Sequence, residues 1–463
     1  MKKRIICFAL LLVLLLPCVF ANADNKGRSG LFSYSIRGNG TAEITGFNWD
    51  GNNGSVYIPS MIDGYTVTSI GEKAFYTSET YKTGVDITLP NTITTIGDKA
   101  FYGAPVTIIN IPSSITYIGK GAFASCYLLE NFNVAPDQTT YTVMDGVLYN
   151  KVTKELVCYP YKMMKKGVSI PKGIKSIGDY ACYGGYARSE WEVTGIYDGD
   201  IPKVDIPETV TTIGDYAFYG WKIREINLKP SQLNYVGEEA FGDVYFSELV
   251  NFGNINEIGG WAFSNCYGRW GISIAIADIP DFAFRQNENR GNSYIRLLEP
   301  VTSVGKKAFV NALITIPLNL TRCTSIGEAA FKGARVIEQT SEDNTITVYC
   351  DISSEAFAGL QASKINFSVN CKEIADNAFN GSSLKSITLS NKLTSIGDNA
   401  FTGCKISNNE ITLPSSITKI GKDAFDKGLT IHVDAGSYAE AWCRDNGMSY
   451  QYVGGNDTSW LDD

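Results

Sequence analysis

The stretch LKSITLSNKLTSIGDNAFTGC at residues 384–404 carries the pattern that decides the fold. Within it, residues 396–401 form a six-residue tag of the type aliphatic-Gly-x-x-Ala-Phe. The tag recurs fourteen times, and most copies follow the previous one after 21 to 26 residues. A fixed period of this length predicts an array of stacked repeats. The aliphatic residues of the copies are Ile70, Ile96, Ile118, Ile177, Ile213, Val236, Ile258, Ile279, Val304, Ile326, Ile352, Ile374, Ile396 and Ile420.

Each repeat also contains one short alternating segment, such as residues 387–389, which predicts one strand per turn. Glycine follows the aliphatic residue of the tag in eleven copies, which predicts a special backbone angle or a close approach that a Cβ would obstruct. Acidic residues such as Asp98, Asp215 and Asp398 follow this glycine. They are placed to cap a single helical turn that directs the alanine and phenylalanine of the tag inward.

The alanine and phenylalanine of the tag form the predicted core, because one repeat of about 22 residues cannot bury them without its neighbours. The sequence therefore predicts an elongated α/β repeat solenoid with a parallel β-sheet along one side and short helical turns. Residues 24–69 contain a predicted N-terminal β-hairpin cap with a turn at residues 50–54. The array covers residues 70–428, with insertions within 124–210. A capping box at residues 437–440 opens a helix in the C-terminal cap, residues 429–453, before a polar tail at 454–463.

Composition narrows the classes of function. The 463-residue chain has a single histidine, which argues against a Ser-His-Asp hydrolase, a Cys-His peptidase and a multi-histidine zinc site. No cofactor or metal site is predicted. Nine cysteines follow the N-terminal segment, an odd number without a CxxC pair, and their positions in the repeat favour buried thiols over disulfides. His432 lies in an alternating strand and is expected to be an exposed sheet residue.

The N-terminus has the pattern of a secretory signal peptide. Met1 is followed by Lys2, Lys3 and Arg4, then by an apolar segment at residues 5–19 and a small-x-small site at 21–23. Cleavage after residue 23 leaves 37 basic and 48 acidic residues, a net charge of −11. This balance argues against nucleic-acid binding, and no integral membrane span is expected in the mature chain. The predicted location is secreted or cell-surface associated.

The complete repeat, L-x-x-I-x-L-P-x-x-I-T-x-I-G-x-x-A-F-x-G-C, resembles the BspA-type leucine-rich repeat of bacterial and some protist surface proteins. The resemblance extends from about Ile44 to Tyr452. Residues 145–150 with 155–160 resemble the inserted hairpin of that family, and residues 433–442 resemble its terminal cap. The resemblance implies a leucine-rich-repeat horseshoe with a concave sheet. It also implies adhesion to, or binding of, host proteins, matrix or other cells, without a shared active site.

Two sets of residues are candidates for ligand binding. The first is the row of strand side chains that point away from the core; its alternative role is that of a solvated sheet face. The second is the irregular segment between Ile118 and Ile213, where inserted loops favour recognition; its rings could instead simply pack the insertion onto its neighbours. The row comprises Asn110, Asn133, Asp205, Asn227, Arg296, Thr315, Asn366, Thr388 and Thr412, and the segment contributes Tyr186, Trp191, Tyr197 and Trp221.

The sequence therefore predicts a non-catalytic extracellular binding or adhesion module for a protein or glycan ligand. A secreted carbohydrate-active enzyme with paired carboxylates is one alternative, since it needs no histidine. A structural surface-coat protein is another. The acidic residues mostly occupy the position after the tag glycine, where a structural role suffices, so no enzymatic activity is predicted.

Overall fold

The computed structural model describes residues 26–49, 54–79, 81, 83–184, 202–268, 271–287, 293–315, 318–337 and 345–454. Over these ranges the chain forms a parallel β-solenoid of about 17 turns with almost no helix. The first strands are β1 (Lys26–Ser29), β2 (Phe32–Ile36), β3 (Thr41–Phe47), β4 (Val56–Tyr57), β5 (Met61–Ile62), β6 (Tyr65–Ile70), β7 (Val85–Thr88), β8 (Thr95–Ile96), β9 (Val106–Ile111), β10 (Tyr117–Ile118) and β11 (Asn131–Val134).

The middle of the chain contains the insertion and the turns that follow it. Its elements are β12 (Tyr141–Met144), β13 (Val147–Asn150), β14 (Glu155–Cys158), α1 (Tyr161–Met164), β15 (Val168–Ser169), β16 (Ser176–Ile177), β17 (Lys203–Asp205), β18 (Thr212–Ile213), β19 (Lys222–Ile223), β20 (Glu225–Asn227), β21 (Tyr235–Val236), β22 (Tyr245–Phe246), β23 (Val250–Asn254) and β24 (Glu257–Ile258).

The remaining turns run to the second helix and a final strand. They contain β25 (Tyr267–Gly268), β26 (Ile272–Ala275), β27 (Asp278–Ile279), β28 (Tyr294–Leu297), β29 (Ser303–Val304), β30 (Leu313–Thr315), β31 (Ser325–Ile326), β32 (Arg335–Ile337), β33 (Thr345–Val348), β34 (Gln361–Phe367), β35 (Glu373–Ile374), β36 (Ser383–Thr388), β37 (Ser395–Ile396), β38 (Lys405–Ile406), β39 (Glu410–Thr412), β40 (Lys419–Ile420), β41 (Thr430–Val433), α2 (Tyr438–Asn446) and β42 (Ser449–Tyr452).

Most turns contribute two strands rather than the one predicted. The alternating segments pair in parallel with their counterparts, as in the sheet β4, β7, β9 and β11. A second set of parallel strands, each two residues long, ends at the aliphatic residue of the tag, so that Ile177, Ile213 and Val236 lie in register. The sequence did not reveal this second strand because two residues are too few to show alternation. Both sets are divided into several sheets along the chain.

The predicted helical turn of the tag is wrong. The third residue after the aliphatic residue has a positive φ in all fourteen copies, between 48° at Glu239 and 60° at Trp261, and only Gly121 among them is a glycine. The backbone N–H groups that follow donate hydrogen bonds to carbonyl groups of the next turn, and they do not form a helix. For example, the Phe309 nitrogen donates to the Ala330 carbonyl at 2.7 Å. A left-handed residue at this position ends any helical geometry and turns the tag phenylalanine into the core.

The tag glycine is required for close approach and not for an unusual φ. A Cβ on Gly97 would lie 2.9 Å from the backbone nitrogen of Glu72 in the preceding turn. The acidic residues after the glycine do not cap a helix, which corrects the prediction for Asp98, Asp215 and Asp398. Their carboxylates instead accept hydrogen bonds from the next turn. Asp281 and Asp376, which follow Pro280 and Ala375 at the same position of the tag, do likewise. The pairs are Asp98 with Lys120 N, Asp179 with Asp215 N, Asp215 with Glu238 N, Asp281 with Lys306 N, Asp376 with Asp398 N and Asp398 with Lys422 N.

The predicted core of alanine and phenylalanine is confirmed. The phenylalanine rings stack from turn to turn, with centroids 5.2 Å apart for Phe284 and Phe309 and 5.1 Å apart for Phe309 and Phe331. The stack is interrupted where Cys182 occupies the phenylalanine position. The described cysteines are free and, apart from the half-buried Cys404, buried, so the expectation of buried thiols is also met.

Both ends of the described chain carry additional elements. At the N-terminus β2 and β3 form an antiparallel hairpin, and β3 pairs in parallel with β6 of the array. The chain reverses between β2 and β3 at residues 37–40. Residues 50–53 of the predicted turn lie outside the described residues. At the C-terminus Ser437 Oγ accepts from the Glu440 nitrogen at 3.2 Å and opens α2. Strand β42 follows the helix and pairs with β41.

Candidate binding site

The predicted polar row is divided among several sheets. Asn110 and Asn133 are neighbours in one sheet, with the Asn133 Nδ2 donating to Asn110 Oδ1 at 2.9 Å. Asp205 and Asn227 are neighbours in another. The nine-stranded sheet carries Arg296, Thr315, Asn366 and Thr388, and a separate three-stranded sheet carries Thr412. The structure therefore brings these residues together in short groups and not in one continuous surface.

One member of the row does not lie at the surface. Thr315 is 0% exposed, and its hydroxyl has no hydrogen-bond partner among the described residues. It is in register with the exposed Arg296, so it lies on the predicted face of the sheet, but its accessibility was predicted wrongly. Strand alternation alone does not show what covers a sheet face. Asn366 is half-buried. The exposed members of the row are Asn110, Asn133, Asp205, Asn227, Arg296, Thr388 and Thr412.

The aromatic residues predicted in the insertion have different outcomes. Tyr186, Trp191 and Tyr197 lie outside the described residues. Trp221 is 3% exposed, its Nε1 donates to the Cys182 carbonyl, and its ring centroid lies 5.9 Å from that of Tyr161. Trp221 therefore packs the turn beside the interrupted phenylalanine stack and is not available to a ligand, which corrects its assignment as a binding residue.

A set of stacked tyrosines lies at the turns that flank the insertion. Tyr180 stacks on Tyr216 with centroids 4.8 Å apart and planes 4° apart. Tyr183 stacks on Tyr219 at 5.6 Å. The ring of Tyr102 lies 5.9 Å from that of Tyr183, and its hydroxyl lies 3.2 Å from the Tyr183 hydroxyl. We call these five residues the tyrosine cluster. Tyr183 and Tyr219 are buried, whereas Tyr102, Tyr180 and Tyr216 are half-buried, so the exposed part of the cluster consists of these three rings.

The position of these tyrosines follows from the repeat. Tyr180 and Tyr216 occupy the left-handed third position of the tag, with φ of 58° and 56°. Tyr102, Tyr183 and Tyr219 each lie six residues after the aliphatic residue of the tag. Equivalent positions stack from turn to turn, so aligning the copies on the aliphatic residue would have revealed the cluster from the sequence. The sequence prediction treats this segment as an irregular loop, so it does not group Tyr180 and Tyr183 with Tyr102, Tyr216 and Tyr219.

Burial affects the pKa of two hydroxyls of the cluster, those of Tyr180 and Tyr216. Burial, with the nearby Tyr102 and acidic side chains, raises the pKa of Tyr180 to about 12. Burial also raises the pKa of Tyr216, whose hydroxyl donates to Glu239 Oε1 at 3.3 Å. The Tyr219 hydroxyl donates to Asp243 Oδ2 at 2.7 Å. These carboxylates hold the rings in fixed orientations, so the surface is preorganised.

A cleft of about 280 Å³ lies beside the cluster. There the insertion interrupts the parallel strands that end at the aliphatic residue of the tag, which we call the tag strands and, together, the tag ladder. Strand β10 pairs with β8, and the next tag strand in the ladder is β16, which pairs with β14. Between β10 and β14 the Tyr141 hydroxyl takes the place of a strand and accepts from the Ile118 nitrogen at 2.8 Å. We call this the junction cleft. The side chains that define it are Tyr117, Lys120, Tyr141, Asn150, Glu155 and Asp179.

Two carboxylates and one ammonium group face the junction cleft. Lys120 Nζ lies 2.6 Å from Asp179 Oδ2, and this ion pair raises the pKa of Lys120. The other carboxylate, Glu155, accepts from the Thr153 hydroxyl at 3.3 Å. Burial, aided by the charge of Asp179, raises the pKa of Glu155. The cleft is therefore polar and partly shielded from water, and its three charged groups sum to −1 when Glu155 is ionised.

The described residues offer few other sites. They contain no group of three or more histidine, cysteine, aspartate or glutamate residues placed to hold a metal ion. Within the same ranges, no helix is long and apolar enough to cross a membrane.

These features define a repeat scaffold of the parallel-solenoid class, with a cleft and an aromatic surface at its one large insertion. Residues 47–163, 196–314 and 302–432 match the BspA type leucine-rich repeat region, in six copies. The chain therefore belongs to the BspA-type leucine-rich repeat family, as its repeat indicated. No curated protein matches the chain.

Several solved structures are similar to this chain at low identity. A leucine-rich repeat protein from Bacteroides ovatus is 20% identical, with 92% of this chain and 99% of that chain covered and a TM-score of 0.44. A leucine-rich cell surface protein from Faecalibacterium prausnitzii is 18% identical, with 95% and 97% covered and a TM-score of 0.35. The pneumococcal vaccine antigen PcpA is 15% identical, with 92% and 98% covered and a TM-score of 0.30.

Proposed function

We propose that this protein is exported and acts outside the cell as a non-catalytic binding module for an extracellular protein or glycan. The observation that carries the proposal is the tyrosine cluster, which lies directly beside the junction cleft. Tyr180 follows Asp179 of the cleft in sequence, and the ring of Tyr180 lies against Gly121. A ligand could therefore contact the rings and the cleft together.

The chemistry of the cluster supports recognition. Tyrosine combines a rigid apolar ring with a hydroxyl and loses little conformational entropy on binding, which explains its enrichment in interfaces. The rings of Tyr180 and Tyr216 are already stacked and lie partly exposed. The exposed polar residues of the row, such as Asn110 and Asn133, provide hydrogen-bonding groups on a separate face of the turns. They support a secondary contact surface.

A secreted carbohydrate-active enzyme is less well supported. The two carboxylates of the cleft, Glu155 and Asp179, are the pair that such chemistry would need. Both oxygens of Asp179 are already engaged, since Oδ2 contacts Lys120 Nζ and Oδ1 accepts from the Asp215 nitrogen at 2.8 Å. Asp179 therefore serves to join neighbouring turns. Screening the mature chain for glycan hydrolysis tests this alternative directly.

The binding role can be tested with a variant that preserves the backbone. Asn377 and Asn399 occupy the left-handed third position in other copies, with φ of 57° and 53°. Tyr180→Asn and Tyr216→Asn therefore remove the rings without straining the turn. The mature chain and the variants are measured by biolayer interferometry against immobilised matrix proteins, mucins and glycans.

We expect the parent to bind at least one immobilised ligand and the double variant to lose about tenfold or more in affinity. Tyr438→Ala is the matched control, because Tyr438 is 43% exposed and lies in α2, outside both the cluster and the cleft. Equal affinity of the parent and the double variant would remove the cluster from the binding site. No binding to any member of the panel would count against the proposed function as a whole.

A further inference from the structure

The junction cleft has the size and chemistry of a site for one sugar ring. We propose that it binds a single pyranose unit of a neutral glycan. This inference rests on the proposed binding function and names the class of ligand for one part of it. Three observations carry the inference: the origin and volume of the cleft, its mixture of donors and acceptors, and an exposed ring at its rim.

The cleft exists because a strand is missing from the tag ladder. The step from Ile118 to Ile177 is 59 residues long, and the hairpin strands β12, β13 and β14 are inserted in it. The Tyr141 hydroxyl, and not a strand, hydrogen-bonds to the Ile118 nitrogen of β10. The resulting volume of about 280 Å³ is at the lower end of ligand-binding clefts, which suits a single ring rather than an extended chain.

The cleft presents donors and acceptors from both of its walls. Lys120 contributes an ammonium group from one side, and Glu155 contributes a carboxylate from the other. The Asn150 carbonyl oxygen already accepts from the Val152 and Thr153 nitrogens at 3.0 and 3.1 Å, which leaves its amide nitrogen to donate. The hydroxyl groups around a sugar ring match this arrangement, because each hydroxyl both donates and accepts hydrogen bonds.

An aromatic ring lies at the rim of the cleft. Tyr117 is 51% exposed, although its neighbour Ile118 packs against the core. The C–H face of a pyranose is apolar, so it can cover such a ring while the hydroxyl groups reach the polar walls. Aromatic side chains with one polar end suit ligands of this mixed character.

The charge balance favours a neutral ligand. Lys120 is already paired with Asp179, so a phosphate or sulfate group would face Glu155 without a free cation to neutralise it. An ammonium ligand that paired with Glu155 would lie in the same small cleft as the Lys120 ammonium group and be repelled by it. A neutral sugar avoids both costs and gains hydrogen bonds to groups that are already oriented.

The test is saturation-transfer-difference NMR of the mature chain with the methyl pyranosides of glucose, galactose, mannose and N-acetylglucosamine. We expect saturation transfer to at least one pyranoside and a dissociation constant in the millimolar range. Tyr117→Ala and Glu155→Gln should each weaken that binding by about fivefold or more. Tyr76→Ala, which removes a comparably exposed ring outside the cleft, should bind like the parent.

Absence of transfer to all four pyranosides at millimolar concentration would overturn the proposal. Equal binding by the parent, Tyr117→Ala and Glu155→Gln would also overturn it, because the sugar would then lie elsewhere. If the chain binds a macromolecular ligand through Tyr180 and Tyr216 but binds no pyranoside, the proposed binding function stands and the proposed sugar site is refuted. Circular dichroism of each variant confirms that the solenoid is folded.

Discussion

The carboxylate oxygen Oδ1 of Asp398 lies 2.7 Å from the backbone nitrogen of Lys422 in the next turn. The contact is possible because Gly421, which precedes Lys422, has no side chain; a Cβ there would lie 2.5 Å from the same oxygen. The glycine of one turn and the acid of the previous turn are therefore one structural unit. This unit explains why both residue types recur in the tag.

Removing the acceptor should weaken the coupling between turns. Asp398→Ala is expected to lower the free energy of unfolding by about 1–2 kcal/mol, because a backbone N–H loses a charge-assisted partner at a partly exposed site. Asp398→Asn keeps an oxygen at the same position and should recover most of the loss. Urea unfolding followed by circular dichroism gives both values. Equal stability of the alanine variant and the parent would contradict the structural role of the acid.

The tag glycine should be intolerant of a methyl group. A Cβ on Gly397 would lie 2.6 Å from the backbone nitrogen of Asp376, and a backbone cannot move aside easily. Gly397→Ala should therefore cost about 1–3 kcal/mol of stability. Gly428→Ala is the control, since a Cβ there has nothing within 4 Å. A similar effect of the two substitutions would show that steric contact is not the cause.

The stacked phenylalanines should dominate the stability of each turn. Phe309 is fully buried between Phe284 and Phe331. Phe309→Ala is expected to cost about 3–5 kcal/mol, since it removes apolar surface and leaves a cavity. Val369→Ala, at a side chain that is 57% exposed, should change stability by less than about 0.5 kcal/mol. Thermal or denaturant unfolding of the two variants provides the comparison.

The repeat made much of this fold predictable. The spacing of the tag predicted the stacking and the phenylalanine core, and it left the glycine with two possible roles, of which the structure shows the close approach. The role of Asp98 was mistaken because an acid at the start of a turn fits a helix cap as well as a bond to the next turn. Only the left-handed conformation of residues such as Lys99 distinguishes a helix cap from a hydrogen bond to the next turn. A lysine in the sequence does not indicate a positive φ.

The candidate site was less predictable. The tyrosine cluster could have been found by aligning the copies, since equivalent positions stack. The junction cleft could not, because Tyr117, Tyr141, Glu155 and Asp179 come from separate segments of a step without internal regularity. Their proximity depends on how the inserted hairpin joins the ladder. Trp221 illustrates the reverse error, since an aromatic residue in an irregular segment was assigned to binding and is buried.

Stability should depend on pH through Glu155. Burial raises the pKa of this carboxyl in the folded protein, so the folded state binds the proton more tightly than the unfolded state. The contribution of Glu155 to stability therefore falls as the pH rises from its unfolded pKa through its higher folded pKa. Glu155→Gln should be more stable than the parent at neutral pH, and this advantage should disappear under acidic conditions. Denaturation at several pH values measures the difference, and a constant difference would contradict the assignment.

The cysteines should react slowly in the folded protein. Burial raises the pKa of the Cys126, Cys182 and Cys266 thiols, which reduces the fraction of reactive thiolate. Cys404 is the half-buried exception among the described cysteines. In a native chain that begins at residue 24, iodoacetamide should therefore modify Cys404 first, and it should modify all nine thiols after unfolding, as measured by peptide mass spectrometry. Rapid native labelling of Cys266 would contradict the burial.

The interruption of the tag ladder at β10 has a mechanical consequence. The ladder hydrogen bonds connect one turn to the next, so a pull along the solenoid loads these rows in series. The rows where the ladder is interrupted, beside Tyr141 and after β24 and β31, should open before the continuous ones. Each 22-residue turn that separates would lengthen the chain by about 75 Å. A molecule held at one end and bound at the other would thus extend stepwise under tension, starting at these interruptions.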